Sequence, residues 1–211
     1  MSEQLTGRVG HFGYPTKSAG ENPLALSPNQ ALKVVQASGF HEDQVARGNV
    51  YTGLNVGGTP VIFQAGLSAT TPPLTLYNPV GSVVNLRLVQ ATIAISTNPA
   101  ATAWYALAAN AVNATAPAST TLAQVFNNAN PGITAAPVGQ CYAIATLAAA
   151  PVAFHYFPSV TWGSAVGISP CDIHTDFKGL WSIPPGVAIS FQSKLGVALG
   201  VCSITWEEVP V

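Results

Sequence analysis

The chain reads as all-β: a jelly-roll-like β-sandwich preceded by an extended N-terminal arm that contains one short helix. Three observations predict this. Gly and Pro are abundant, 19 and 17 of 211 residues, and they punctuate the chain at strand-length intervals. Glu, Lys and Arg, the usual material of surface helices, are nearly absent. Apolar and small residues also alternate at period two. Val187, Ile189 and Phe191 fall on one face of a strand, and Ala188, Ser190 and Gln192 on the other.

Residues 1–47 form the arm and 48–211 the sandwich. The arm holds eight of the fifteen charged residues and is rich in Gly and Pro, from Gly7 to Pro23, so it cannot bury a core of its own. One helix is signalled inside it. Ser27 can cap, Pro28 suits the first helical position, and Gln30 completes a capping box. Ala31, Leu32, Val34 and Val35 make its apolar stripe, and Gly39 can end it.

From residue 48 the pattern changes to short strands. Those expected are 61–66, 74–78, 83–96, 103–108, 140–147, 152–156, 179–183, 186–193 and 200–207. Pro184-Pro185-Gly186 is a turn, because neither proline can donate to a ladder. The stretch from Tyr77 through Asn78, Pro79 and Gly81 to Ser82 is another. Between 97 and 139, Ala, Asn, Thr and Pro predominate. A strand near Trp104 and Tyr105 and a long loop are expected there, with a short helix over 119–127 that puts Leu122, Val125 and Phe126 on one side. Trp181 and Trp206 lie within strand patterns and read as core.

Charge is the most informative feature for function. A soluble surface carries about 25–35% charged residues; this chain has 7%. Between Arg47 and Asp172 the one charged residue is Arg87. Such a surface is expected to be covered by copies of the chain or by a larger assembly. Seven scattered Lys and Arg and a net charge of −1 argue against nucleic acid, which needs basic groups to displace counterions. No stretch of about 20 residues is continuously apolar, which argues against a spanning helix, and the aromatics do not form the girdles of a membrane barrel. Met1-Ser2-Glu3-Gln4 does not open a signal peptide, so synthesis in the cytoplasm is expected.

Residues that perform chemistry are sparse. Asp172, His174 and Asp176 share one face if extended, and two carboxylates with an imidazole could hold a divalent metal. The spacing equally fits a solvated loop or edge strand, and the three could instead meet the basic groups of a neighbour's arm. The histidines His11, His41, His155 and His174 are unpaired in sequence, and no G-x-S-x-G or P-loop occurs. Gly7, Gly10 and Gly13 follow no strand, so they are no dinucleotide fingerprint. Glu207 and Glu208 point to opposite faces of a strand, a poor acid–base pair, and are expected to meet water or an arm's basic group. His155, Tyr156, Phe157 and Trp162 read as core or interface, or as a surface for sugar rings. Cys141, Cys171 and Cys202 have no metal spacing and read as buried thiols, with a disulfide between two of them as the alternative, whose pairing the sequence leaves open. Arg87 is expected to be exposed, or paired across a subunit interface. No catalytic residue, cofactor or metal is expected.

Two segments carry a resemblance. One is Thr71-Pro-Pro-Leu-Thr-Leu-Tyr-Asn-Pro-Val-Gly-Ser-Val-Val-Asn-Leu86, running on to Ser96. The other is Gly179-Leu-Trp-Ser-Ile-Pro-Pro-Gly-Val-Ala-Ile-Ser-Phe-Gln192, with the closing Ile204-Thr-Trp-Glu-Glu-Val-Pro-Val211. Together they resemble β-sandwich virion proteins of tailed bacteriophages, most of all capsid cement or decoration proteins. The resemblance implies a jelly roll, homotrimers on the capsid exterior, and an arm reaching over the major capsid protein. The assembly contacts are expected to involve Arg8, Phe12, Tyr14, Lys17, Lys33, Arg47 and Arg87. The alternative is a head-fibre, tail or spike module that binds host-surface carbohydrate.

Overall fold

A computed structural model describes residues 41–55, 60–97, 103–110, 116–118, 121–127, 136–158 and 171–211. Two antiparallel sheets pack face to face as a sandwich. The first contains β1 (Val50–Leu54), β2 (Val61–Phe63), β4 (Val84–Ile95), β7 (Gln124–Asn127), β10 (Cys171–Asp176), β11 (Ser182–Ile183) and β13 (Ala198–Pro210). Its order is β10-β4-β13-β1-β7, with β11 also on β4 and β2 on β13. The second contains β3 (Thr75–Tyr77), β5 (Trp104–Asn110), β6 (Thr121–Leu122), β8 (Gln140–Ala143), β9 (Val152–Tyr156) and β12 (Ala188–Leu195), in the order β6-β8-β3-β12-β5-β9. One short helix, α1 (Glu42–Ala46), precedes β1.

The inward faces follow the period-two reading. β4 buries Leu86, Leu88, Ala91, Ile93 and Ile95. The parity slips between Leu88 and Ala91 because Val89 is an extra residue, where Trp206 of β13 faces Leu88 and Thr205 faces Gln90. From the other sheet Leu76, Tyr105, Leu107, Ile189 and Phe191 close the core. Trp206 is fully buried and stacks on Tyr51, with centroids 5.9 Å apart. Phe63 meets Tyr105 edge to face at 5.3 Å.

The second sheet is also covered on its outer face. Ala106, Ala108, Ser190 and Gln192 point away from the core by parity, yet all are buried. The chain between β8 and β9 must pass from one side of this sheet to the other. Asn110 Nδ2 donates to the Ala149 carbonyl at 2.9 Å on that passage, and Ala145 and Leu147 are buried along it. A second segment runs beside it: Thr71 N–H donates to Ala145 O, and Leu147 N–H to Ala69 O. Small side chains on the sheet let backbone cross at close range. This gives the Ala-rich composition a packing role.

Several expectations change. Residues 121–127 are strands, not helix: Leu122 faces Tyr142 of β8, and Val125 faces Gly53 of β1. Partners distant in sequence override an ambiguous short stripe rich in β-branched and aromatic residues. β1 is not among the strands expected from the sequence. A Cβ at Gly53 would lie 2.5 Å from Cys141 Sγ, so the glycine marks a close approach between sheets. The helix expected within 27–39 lies outside the described residues. The turn at Asn78 is as expected. Its amide donates to Val84 O at 2.8 Å and Ile183 O at 2.9 Å, fastening β3, β4 and β11 together.

Candidate interaction surfaces and the anchor of the N-terminal segment

Two surfaces stand out. The first is where the N-terminal segment joins the sandwich. Residues 41–47, the end of the segment read as arm, lie on the outer face of the seven-stranded sheet. His41 Nδ1 is 2.7 Å from Glu207 Oε2, and Arg87 reaches the other oxygen of that carboxylate at 3.7 Å. Glu207 and Arg87 face each other across β13 and β4, which brings two residues 120 positions apart together. His41 holds φ at 100°, where a side chain with a Cβ is strained. Its carbonyl accepts from Val45 N–H, starting α1, so the strained residue is tied at both backbone and ring.

Glu207 and Glu208 are both buried rather than solvated. Glu207 is covered by His41 and Arg87. Glu208 points the opposite way and accepts from Gly139 N–H at 2.8 Å; Trp206 Nε1 lies 3.4 Å from the same oxygen. Backbone donation to an ionised carboxylate is a strong, short bond. The Glu208 charge adds to burial in raising the Tyr51 phenol above its ordinary value. Arg87 is exposed and pairs within its own chain. Arg47 is exposed beyond α1. Arg8, Phe12, Tyr14, Lys17 and Lys33 lie outside the described residues.

The second surface is the flank where the sheets end at β9 and β10. The aromatic cluster splits there by parity. His155 and Phe157 turn inward: the His155 ring sits 5.3 Å from Phe157 and 5.0 Å from Phe177. Desolvation lowers the His155 pKa, and its buried Nε2 has no hydrogen-bond partner among the described residues. Tyr156 turns outward, 43% exposed, and meets Trp104, 44% exposed, edge to face at 6.3 Å. Lys194 Nζ lies 5.8 Å from the Tyr156 ring centre. Phe154 is the extra residue of a bulge, since Leu107 faces His155 and Ala108 faces Ala153. The bulge aims Phe154 across to Trp181 on the other sheet, 5.0 Å away. Trp181, which directly precedes β11, is 39% exposed at the flank rather than core as expected. Trp162 lies outside the described residues. Trp104 and Trp181 were not singled out for this surface; no local pattern separates an outward strand tryptophan from an inward one.

Asp172, His174 and Asp176 fall on β10, an edge strand. His174 and Asp176 are exposed, and Asp176 Oδ1 accepts from Lys178 N–H at 3.1 Å. Among the described residues no three His, Cys, Asp or Glu are placed to hold a metal ion. Cys141 and Cys202 are buried free thiols. Burial pushes Cys141 up to about 12 and raises Cys202 as well, which disfavours the nucleophilic thiolate at both. Among the described residues no helix is long and apolar enough to cross a membrane.

Comparison of the chain with protein-family models, curated proteins and solved structures found no match in any of the three.

Proposed function

We propose that this protein is a non-enzymatic structural component of a virus particle. In this reading it is a cement or decoration protein that gathers as homotrimers on the capsid exterior and clamps neighbouring major capsid proteins. The observation that carries the reading is the character of the exposed surface. Among the described residues from 48 onward, thirteen large apolar side chains are exposed, against four charged ones: Arg87, Asp176, Lys178 and Lys194. Exposed apolar side chains mark an interaction face where they are contiguous, as Trp104 and Tyr156 are, and stable protein interfaces bury about 1,200–2,000 Å². Association here is driven by area, at roughly 25 cal/mol per Å² of apolar surface before the cost of association. Many copies on one particle add avidity. The test is co-sedimentation of the full-length chain with capsids assembled without it. Saturable binding at a fixed copy number per capsomer is expected; failure to bind would sink the reading.

A second reading has one observation in its favour. The exposed Trp104–Tyr156 pair could stack against sugar rings, as in a fibre or spike module. Glycan binding abolished by Trp104→Ala, with no capsid binding, would favour it.

A further inference from the structure

Among the described residues β9 and β10 end the two sheets on this flank, and they are armed differently. An unpaired edge invites another strand, and proteins usually blunt it with charge, proline or a bulge. β10 carries exposed His174 and Asp176. β9 reads Val-Ala-Phe-His-Tyr without a charge, and the bulge at Phe154 is the device within it. Its Val152 is 73% exposed, and the bulge at Phe154 adds apolar surface toward Trp181. Leu180, 79% exposed, extends the same flank.

The course of the chain brings the N-terminal segment to this place. A Cβ at Gly179 would stand 3.8 Å from the His41 ring, so His41 lies beside the turn that carries Leu180 and Trp181. From there α1 leads to Asn49, whose carbonyl accepts from Glu208 N–H and extends the β1–β13 ladder. The chain thus reaches the sheet from its β11 edge, and forty residues precede that point. Fully extended they span on the order of 100 Å, against roughly 17 Å for a five-residue strand. Their chemistry fits the flank. They contain Phe12 and Tyr14 for the apolar side, and Arg8, Lys17 and Lys33 against Glu3 and Glu21 for the acidic β10 side.

We propose that the β9 edge, with the Trp104–Tyr156 and Phe154–Trp181 pairs beside it, is the receiving surface for residues 1–40 of this chain. The segment adds to β9 by backbone hydrogen bonds, and its side chains rest on the aromatic pairs, the recognition mode of strand addition. The inference concerns the purified protein and stands whether or not that protein joins a particle.

The test uses the full-length chain with photoreactive benzoylphenylalanine in place of Val152. Val83, exposed elsewhere on the surface, serves as the control position. After irradiation, cross-linked peptides are identified by mass spectrometry. Cross-links from position 152 should fall within 1–40, and those from position 83 should not. Tyr156→Ala should cut the yield from position 152 about tenfold, the loss of one anchor contact worth 1.4 kcal/mol. Mixing light and heavy isotope copies shows whether the segment is the chain's own or exchanged between copies, both being residues 1–40 on this surface. Cross-links confined to 159–170 or to a neighbour's strands would overturn the proposal. So would a yield no higher than the control, or one that Tyr156→Ala leaves unchanged.

Discussion

At the scale of single residues, close approach and buried charge dominate. Gly53 sits in β1 where a Cβ would meet Cys141 Sγ at 2.5 Å and Trp206 Cζ3 at 3.3 Å. Gly53→Ala should therefore destabilise the fold by about 1–3 kcal/mol, the range for overpacking a filled core. Cys141→Ala in the same chain should recover part of that loss by removing the clashing sulfur. Denaturant unfolding of the two single variants and the double variant measures the coupling. Additive losses would show that the strain lies elsewhere. Glu207 makes the complementary case. It holds His41 at 2.7 Å beneath the start of α1. Glu207→Ala should cost about 1.5–3 kcal/mol, the range for a hydrogen bond to a charged group. Hydrogen exchange should show protection lost first in residues 41–47. Unchanged protection there would mean that the anchor is held by other contacts.

At the scale of elements, β9 joins the two sheets at their open flank. His155 is the point where that seam can respond to pH. Its ring stands between Phe157 and Phe177, and burial lowers its pKa. The unfolded chain therefore takes up the proton more readily than the folded one. The stability this histidine contributes is fully present above its ordinary value near 6.5. It is lost as the pH falls through the depressed folded value. His155→Phe should flatten the fall in melting temperature between pH 7 and pH 4 relative to the unaltered protein. Parallel curves for the two proteins would assign the acid sensitivity to the carboxylates instead. The strands β6 and β7 show the limit of reading elements locally. Leu122, Val125 and Phe126 match a helical stripe, but backbone pairing with β8 and β1 decides their conformation. The edge strand β10 was legible as one of two readings of Asp172, His174 and Asp176, because alternation of polar residues is a local signal.

At the scale of the whole molecule, the N-terminal forty residues and the apolar surface are the levers on assembly. Among the described residues the buried hydrophobic core begins at Val50. Removing 1–40 should leave the sandwich folded while abolishing attachment to capsids. The cut belongs at 40 rather than 47, because removing His41 would uncover the buried Glu207. Attachment by the truncated protein at full strength would show that the sandwich surface suffices alone. The scarcity of exposed charge also predicts that attachment persists in 1 M salt, where the screening length is only about 3 Å. Release at that salt would mean that the few ion pairs carry the binding.

Composition and period-two alternation by themselves determined the all-β class, most of the inward-facing residues and the turns at Asn78 and Gly186, because each depends on neighbours one to four residues away. The sequence also places every charged residue except Arg87 within the first 47 or the last 40 positions of the chain. The tertiary structure alone decided what those few charges do. Glu207 found His41 and Arg87, and Glu208 found Gly139, only once β13 lay between β1 and β4. The contact of Trp181 with Phe154, the bulge residue of a strand in the opposite sheet, was likewise decided by the tertiary structure. Such pairings depend on contacts across many tens of residues. A local sequence pattern carries no record of which distant strand will arrive alongside.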